Sequence, residues 1–240
     1  MLIKSDIELD YNSIIKNLND KVILITGAGS GLGKMAAIDY LKLGCNVAAG
    51  DINQESLNKL LQECSDYASN LFIHQVDVCN YYEQLKFFKL VKEKFGRIDV
   101  VHANAGKFVK GDFLIAEPEV EPDLSSVDVN VKGLLYTCHL AAIAFRENTV
   151  TPSNQKCITL TASISSFAAL PSLSMPYTAC KSYILSIMKS MHLQGQIDGF
   201  RCNSINVSVL ISFSILINFI CSLGSLILIS WLIDVKYLIQ

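Results

Sequence analysis

Short apolar, β-branched runs alternate with longer stretches of helical spacing from Lys21 to Asn206. The first run, VILIT at 22–26, is uniformly apolar and ends on Gly27, as a strand buried on both faces must be. Residues 31–44 then carry helical spacing and close on Gly44, a residue suited to the left-handed position past a helix end. The same alternation predicts strands over 45–51, 71–77, 98–103, 156–162 and 200–206. Helices are expected over 54–64, 80–95, 124–147 and 176–194, with Gly96 stopping one and Pro118 and Pro122 in the polar loop before another. Such alternation implies right-handed crossovers and a parallel sheet covered on both faces, a doubly wound α/β fold in a single domain.

Both ends depart from the pattern. Residues 1–20 carry acids and lack an apolar core, which predicts a polar helical lead-in and no signal peptide. Residues 207–240 form a hydrophobic tail, and Val207 to Ile233 is 27 residues without a charge. As a helix that stretch measures about 40 Å, against a bilayer core of about 30 Å. Three readings fit it: a membrane helix, a translated intron, since Val207-Ser208 is what an in-frame splice donor encodes, and a divergent soluble terminus.

Composition narrows the function classes. The chain has 240 residues, a net charge of −2 and 51% hydrophobic residues, which excludes a disordered polymer. Near-neutral charge with three Arg leaves no electrostatic footprint for nucleic acid. Eight cysteines contain no Cys-x-x-Cys pair, and four histidines show no ligand spacing. Reduced structural thiols of a cytoplasmic chain, and no metal, are therefore expected.

The chemistry starts at Thr26-Gly-Ala-Gly-Ser-Gly-Leu-Gly33, between the first strand and helix. Gly27, Gly31 and Gly33 permit a tight turn, and the backbone from Ser30 to Leu32 can then approach a pyrophosphate at the positive helix end. A glycine-rich turn without ligand is the bland alternative, which the strand-before, helix-after context disfavours. Asp51 ends the second strand, where a carboxylate accepts from adenosine ribose hydroxyls and repels a 2′-phosphate. That favours NAD over NADP. Asp77 and the adjoining Val78 backbone stand where the adenine would lie.

Tyr177 and Lys181 follow Pro176, a good first residue of a helix, and share one helical face. The spacing alone carries little, because Tyr82 and Lys86 repeat it in what reads as a solvated helix. A phenol shuttles a proton at neutral pH only if a neighbouring cation lowers its pKa, and Lys181 is the expected cation. Ser163, at the end of the fifth strand, is expected to hydrogen-bond the substrate oxygen, with Ser165 and Ser166 as local competitors.

In their order and spacing these residues resemble the short-chain dehydrogenase/reductase family over 21 to about 206. Within it the chain looks most like NAD-linked 15-hydroxyprostaglandin dehydrogenase-type members. The resemblance implies that Asn104-Ala105-Gly106 supports the sheet beside the cofactor and that Asn130 anchors a water in the proton relay. It also implies a Rossmann-type domain, a small alcohol or ketone substrate and a homo-oligomer. Ser163 stands one residue farther from Tyr177 than is usual, and after Asn206 the family's Pro-Gly-type turn and substrate-covering segment are not recognisable. The expected function is hydride transfer between NAD and a secondary alcohol or ketone. A catalytically silent nucleotide-binding protein is the alternative.

Overall fold

A computed structural model describes residues 18–109, 113, 118–147, 156–167 and 175–207. Six strands form one sheet: β1 (Val22–Thr26), β2 (Asn46–Asp51), β3 (Leu71–Gln75), β4 (Val100–Ala103), β5 (Lys156–Ser163) and β6 (Phe200–Val207). All pairings are parallel and the order is β3-β2-β1-β4-β5-β6, so the chain reverses direction across the sheet between β1 and β4. In doubly wound sheets that reversal opens a crevice at the strands' carboxyl ends.

Helices α1 (Gly31–Lys42), α2 (Gln54–Glu63) and α3 (Tyr81–Phe95) follow the first three strands, and α6 (Met175–Asp198) leads into β6. Two of their carboxyl ends fall at the glycines legible in the sequence, and two of their amino ends are capped by asparagines. Asn53 and Asn80 accept N–H bonds of the first turns of α2 and α3, and Gly44 and Gly96 take left-handed φ after α1 and α3. The two sheet faces bury separate cores. One packs Phe87 of α3 and Ile184 of α6 with Val101 and Ile158; the other packs Ala37 and Tyr40 of α1 and Leu57 of α2 with Ile23 and Val47.

Between β4 and β5 the expected single helix over 124–147 is three pieces. A short turn, α4 (Ser125–Val127), runs through a π-helical segment, Asp128–Gly133, into α5 (Leu134–Arg146). The widened turn follows from long-range contacts. Asn130 bonds the Lys107 backbone at both its N–H (2.9 Å) and its C=O (2.8 Å). Gln84, Val78 and Thr137 crowd Gly133, whose carbonyl accepts from both Gln84 and Thr137. The last helix runs to Asp198, four residues past its expected end.

At the amino ends of the strands sits a buried ion cluster. Lys156 Nζ is 2.7 Å from Asp99 Oδ1, and both side chains are fully buried. Arg97 donates to the same oxygen, and the Val22 N–H donates to Asp99 Oδ2. Leu18, assigned to the lead-in by sequence, is buried in the core, and its carbonyl accepts from the Cys45 thiol. Among the described residues no helix is long and apolar enough to cross a membrane, and the tail from 208 lies outside them.

Candidate active site

A cavity of about 850 Å³ opens at the carboxyl ends of β1, β2, β4 and β5. The glycine turn contributes Gly27, Ser30 and Leu32, the end of β2 contributes Asp51, and the segment after β3 contributes Asp77 and Val78. From beyond β4 come Asn104, Ala105 and Gly106, and from α6 come Tyr177 and Lys181. Residues 150 positions apart in sequence thus meet because parallel strands end on one edge.

The turn is shaped by close approach. Gly27 has φ +69°, and a Cβ there would stand 2.7 Å from the Ala105 Cα. A Cβ on Gly33 would drive into the Gly27 carbonyl, so Gly33 packs the turn and does not line the cavity. Gly31 is not a wall residue either, and a Cβ there would meet nothing within 4 Å. Asn104 ties this turn to β4 and β5: its Nδ2 donates to Thr26 O (3.2 Å) and Gly27 O (3.0 Å), and its Oδ1 accepts from Thr161 Oγ1 (3.2 Å). Thr26 Oγ1 in turn accepts the Asn104 and Ala105 N–H groups, each at 3.2 Å.

Asp51 is aimed by two backbone donors, Gly29 N–H at 2.8 Å on Oδ2 and Asn53 N–H at 2.9 Å on Oδ1. Asp77 accepts the Cys79 N–H at 2.8 Å, and its own N–H donates to Glu83.

Tyr177 meets Ser163 through a side-chain hydrogen bond. Burial pushes the phenol above its ordinary value, and the bond to Ser163 only partly offsets this. The expected depression by Lys181 is not found. Lys181 Nζ lies 5.6 Å from the Tyr177 ring centroid and donates to Thr161 O at 2.7 Å. With that one neutral acceptor and 4% exposure, its own pKa falls to about 8 through burial. Having lost its proton near pH 8, Lys181 is already neutral when the phenol titrates and so does not lower it. Phe108 closes the other side of the Tyr177 ring edge-on at 5.0 Å.

The serine competitors separate by contact. Ser166 Oγ accepts from Ser163 N–H and donates to Lys181 O, so it ties β5 to α6. Ser165 Oγ is buried without a hydrogen-bond partner among the described residues, and Ser163 alone of the three meets Tyr177. Asn130 sits behind the wall with both amide groups committed to Lys107. Tyr82 is 78% exposed on α3, as expected, and does not line this cavity.

A family model described as short chain dehydrogenase matches residues 21–212, most of the chain. The chain belongs to the short-chain dehydrogenases. It is 32% identical over 185 residues to a short-chain dehydrogenase/reductase, ascJ, of Acremonium egyptiacum, a match spanning 74% of this chain and 58% of that protein's length. It is 30% identical over 190 residues to 3beta-hydroxysteroid dehydrogenase 2 of Eggerthella lenta, covering 78% of this chain and 70% of the relative. A 3-ketoacyl-(acyl-carrier-protein) reductase from Brucella melitensis, crystallised with NADH, superposes with a TM-score of 0.71 at 26% identity, over 79% of this chain and 75% of the other.

In this short-chain dehydrogenase, sequence reasoning passed over Thr26, Lys107, Phe108 and Thr161. Thr26 and Thr161 stand at strand ends beside residues it did select, which was the available signal. Lys107 takes part through its backbone, which no side-chain pattern reports. The seven described cysteines are all free thiols, with burial pushing Cys138 up to about 12 and burial, then Asp77, pushing Cys79 up to about 11. Cys221 lies outside the described residues.

Proposed function

We propose that this chain moves a hydride between NAD(H) and a secondary alcohol or its ketone, with Tyr177 as general acid–base, in a domain spanning 21–206. The observation that carries the reading is convergence: the glycine turn, Asp51 and the Tyr177–Lys181 pair come from three separate segments and face one cavity at the sheet's switch point. The volume and the paired backbone bonds that aim Asp51 fit a dinucleotide. The NADH carried by the Brucella melitensis reductase supports the same cofactor class. Asp51 selects NAD over NADP, since its carboxylate welcomes ribose hydroxyls and repels a phosphate.

When bound, the nicotinamide ring accepts or returns the hydride. Tyr177 Oη takes the proton of the carbinol oxygen as the carbon gives up hydride, and returns it in the reverse direction. Ser163, bonded to Tyr177, is placed to share that oxygen. Lys181 supplies a cation beside the ring for the ribose hydroxyls. Because burial raises Tyr177, its phenol is protonated at neutral pH and ready to donate to a ketone. Alcohol oxidation should accordingly gain with rising pH.

Three finer assignments follow, two from the family resemblance and the cytoplasmic one from the cysteine usage. We assign the chain to the 15-hydroxyprostaglandin dehydrogenase-type members, to the cytoplasm, and to a homo-oligomer. Exposed Tyr183, Leu193 and Ile197 on α6 are consistent with contact between copies.

The test supplies NAD with a panel of secondary alcohols, and NADH with the matching ketones, and follows NADH absorbance. Tyr177→Phe should lower turnover by about 10²–10⁴-fold while NADH binding survives, and Tyr82→Phe should change nothing. No turnover of any substrate, or a loss below about tenfold in Tyr177→Phe, contradicts the reading.

A further inference from the structure

The polar contacts behind the glycine turn admit only one arrangement of protons. Asn104 Nδ2 faces two carbonyl oxygens, so its NH₂ points into the turn and its Oδ1 points away. That Oδ1 lies 3.2 Å from Thr161 Oγ1, which must donate to it. A hydroxyl has one proton, so toward His102 Nε2, also at 3.2 Å, Thr161 can only accept. The imidazole must then carry its proton on Nε2. Its Nδ1 is buried without a hydrogen-bond partner among the described residues, an environment suited to a bare lone pair. Burial also holds the His102 pKa down to about 4, so the ring is neutral at physiological pH. Thr161 meanwhile gives its carbonyl to Lys181 Nζ. One strand residue thus joins the glycine turn to Lys181, and His102 secures it from behind the cavity wall.

We infer that His102, as its Nε2–H tautomer, is a positioning residue: it donates to Thr161, Thr161 donates to Asn104, and this chain holds the Gly27 carbonyl where the turn receives a nucleotide. The inference rests on the nucleotide-binding reading above. His102 does not line the cavity and touches no reacting group. Without its donation the Thr161 hydroxyl loses the contact that fixes its rotation, and Asn104 keeps a looser hold on the turn. The cost falls on nucleotide affinity, and the proton step at Tyr177 is spared.

The experiment compares the full chain with His102→Leu, His102→Gln and Thr161→Val. NADH affinity is measured by fluorescence titration, KM for NAD and kcat by absorbance, and the imidazole tautomer by nitrogen-15 NMR. His102→Leu should weaken NADH binding roughly three- to tenfold, the effect of one neutral hydrogen bond, and raise KM for NAD more than it lowers kcat. His102→Gln restores an N–H donor and should recover affinity to within about twofold of the parent. The NMR spectrum should show protonated Nε2 and unprotonated Nδ1. An Nδ1–H or doubly protonated ring overturns the inference, as does a folded His102→Leu that binds NADH like the parent. Should His102→Leu fail to fold, the near-isosteric Thr161→Val carries the same affinity test. A parent that binds no NADH defeats the nucleotide-binding reading and, with it, the affinity role of His102, whereas a parent that binds NADH with an Nδ1–H ring overturns the inference alone.

Discussion

Two buried lysines near opposite ends of β5 show what separates support from chemistry in this fold. Lys156, which begins the strand, is fully buried, and its ammonium is 2.7 Å from the Asp99 carboxylate. Burial pushes Lys156 down while Asp99 pulls it back. For Asp99 itself, burial pushes up, but Arg97, Lys156 and the Val22 N–H together leave its pKa below the ordinary carboxylate value. Lys181 is almost as buried, yet its hydrogen bond goes to the neutral Thr161 carbonyl beside the cavity. Its pKa falls to about 8. A buried cation with a carboxylate is committed to the fold. One without a carboxylate stands at the cavity wall, and strongly shifted groups of that kind cluster at functional sites, which supports the ligand-binding role proposed for Lys181.

The sharpest way to break the contrast is at Asp99. Asp99→Ala leaves Lys156 buried without a counter-charge and should cost about 3–5 kcal/mol, measurable as a drop in the chemical-denaturation midpoint. An effect below about 1 kcal/mol would mean that water reaches Lys156 and that the two lysines do not differ in kind.

Lys181→Met should act in the opposite sense. The unfolded chain holds the Lys181 proton up to about 10.5, whereas the folded chain releases it near 8, so folded stability rises with pH across that window. The parent should gain up to about 3 kcal/mol between those limits, and Lys181→Met should lack the gain while losing turnover. Denaturation midpoints taken across that pH range check this; parallel curves for the two proteins would remove the claimed burial cost.

The smallest expected effect is at Asp51. Asp51→Ala with Ile52→Arg should shift the NADP-to-NAD affinity ratio by about tenfold or more toward NADP, through lost repulsion and a gained phosphate partner. A parent that already prefers NADP would contradict the role given to Asp51.

The contrast between the lysines also marks what a sequence can and cannot disclose. β1, the glycine turn, Asp51 and the Tyr177–Lys181 pair were legible because each depends on local spacing: a strand run, a turn, a strand end, a single helical face. Gly44 and Gly96 were legible as helix stops for the same reason, and both take left-handed φ. The Lys156–Asp99 pair was not, because its partners are 57 residues apart and meet only through the β4–β5 pairing. The π-helical turn at Asn130 was hidden likewise, since its cause is the Lys107 backbone 23 residues away. The direction of the Tyr177 shift was misjudged because the sequence places a lysine one turn away but says nothing of how deeply both groups are buried. The three readings of the hydrophobic tail concern residues outside those described.

The most direct test of the central claim is a pH titration of the Lys181 side chain by carbon-13 NMR on lysine-labelled protein, with Lys181→Met identifying its signal. A midpoint near 8 in the nucleotide-free protein, moving upward when NAD is added, is the predicted result. A midpoint at the ordinary ammonium value near 10.5, unmoved by NAD, would contradict the account.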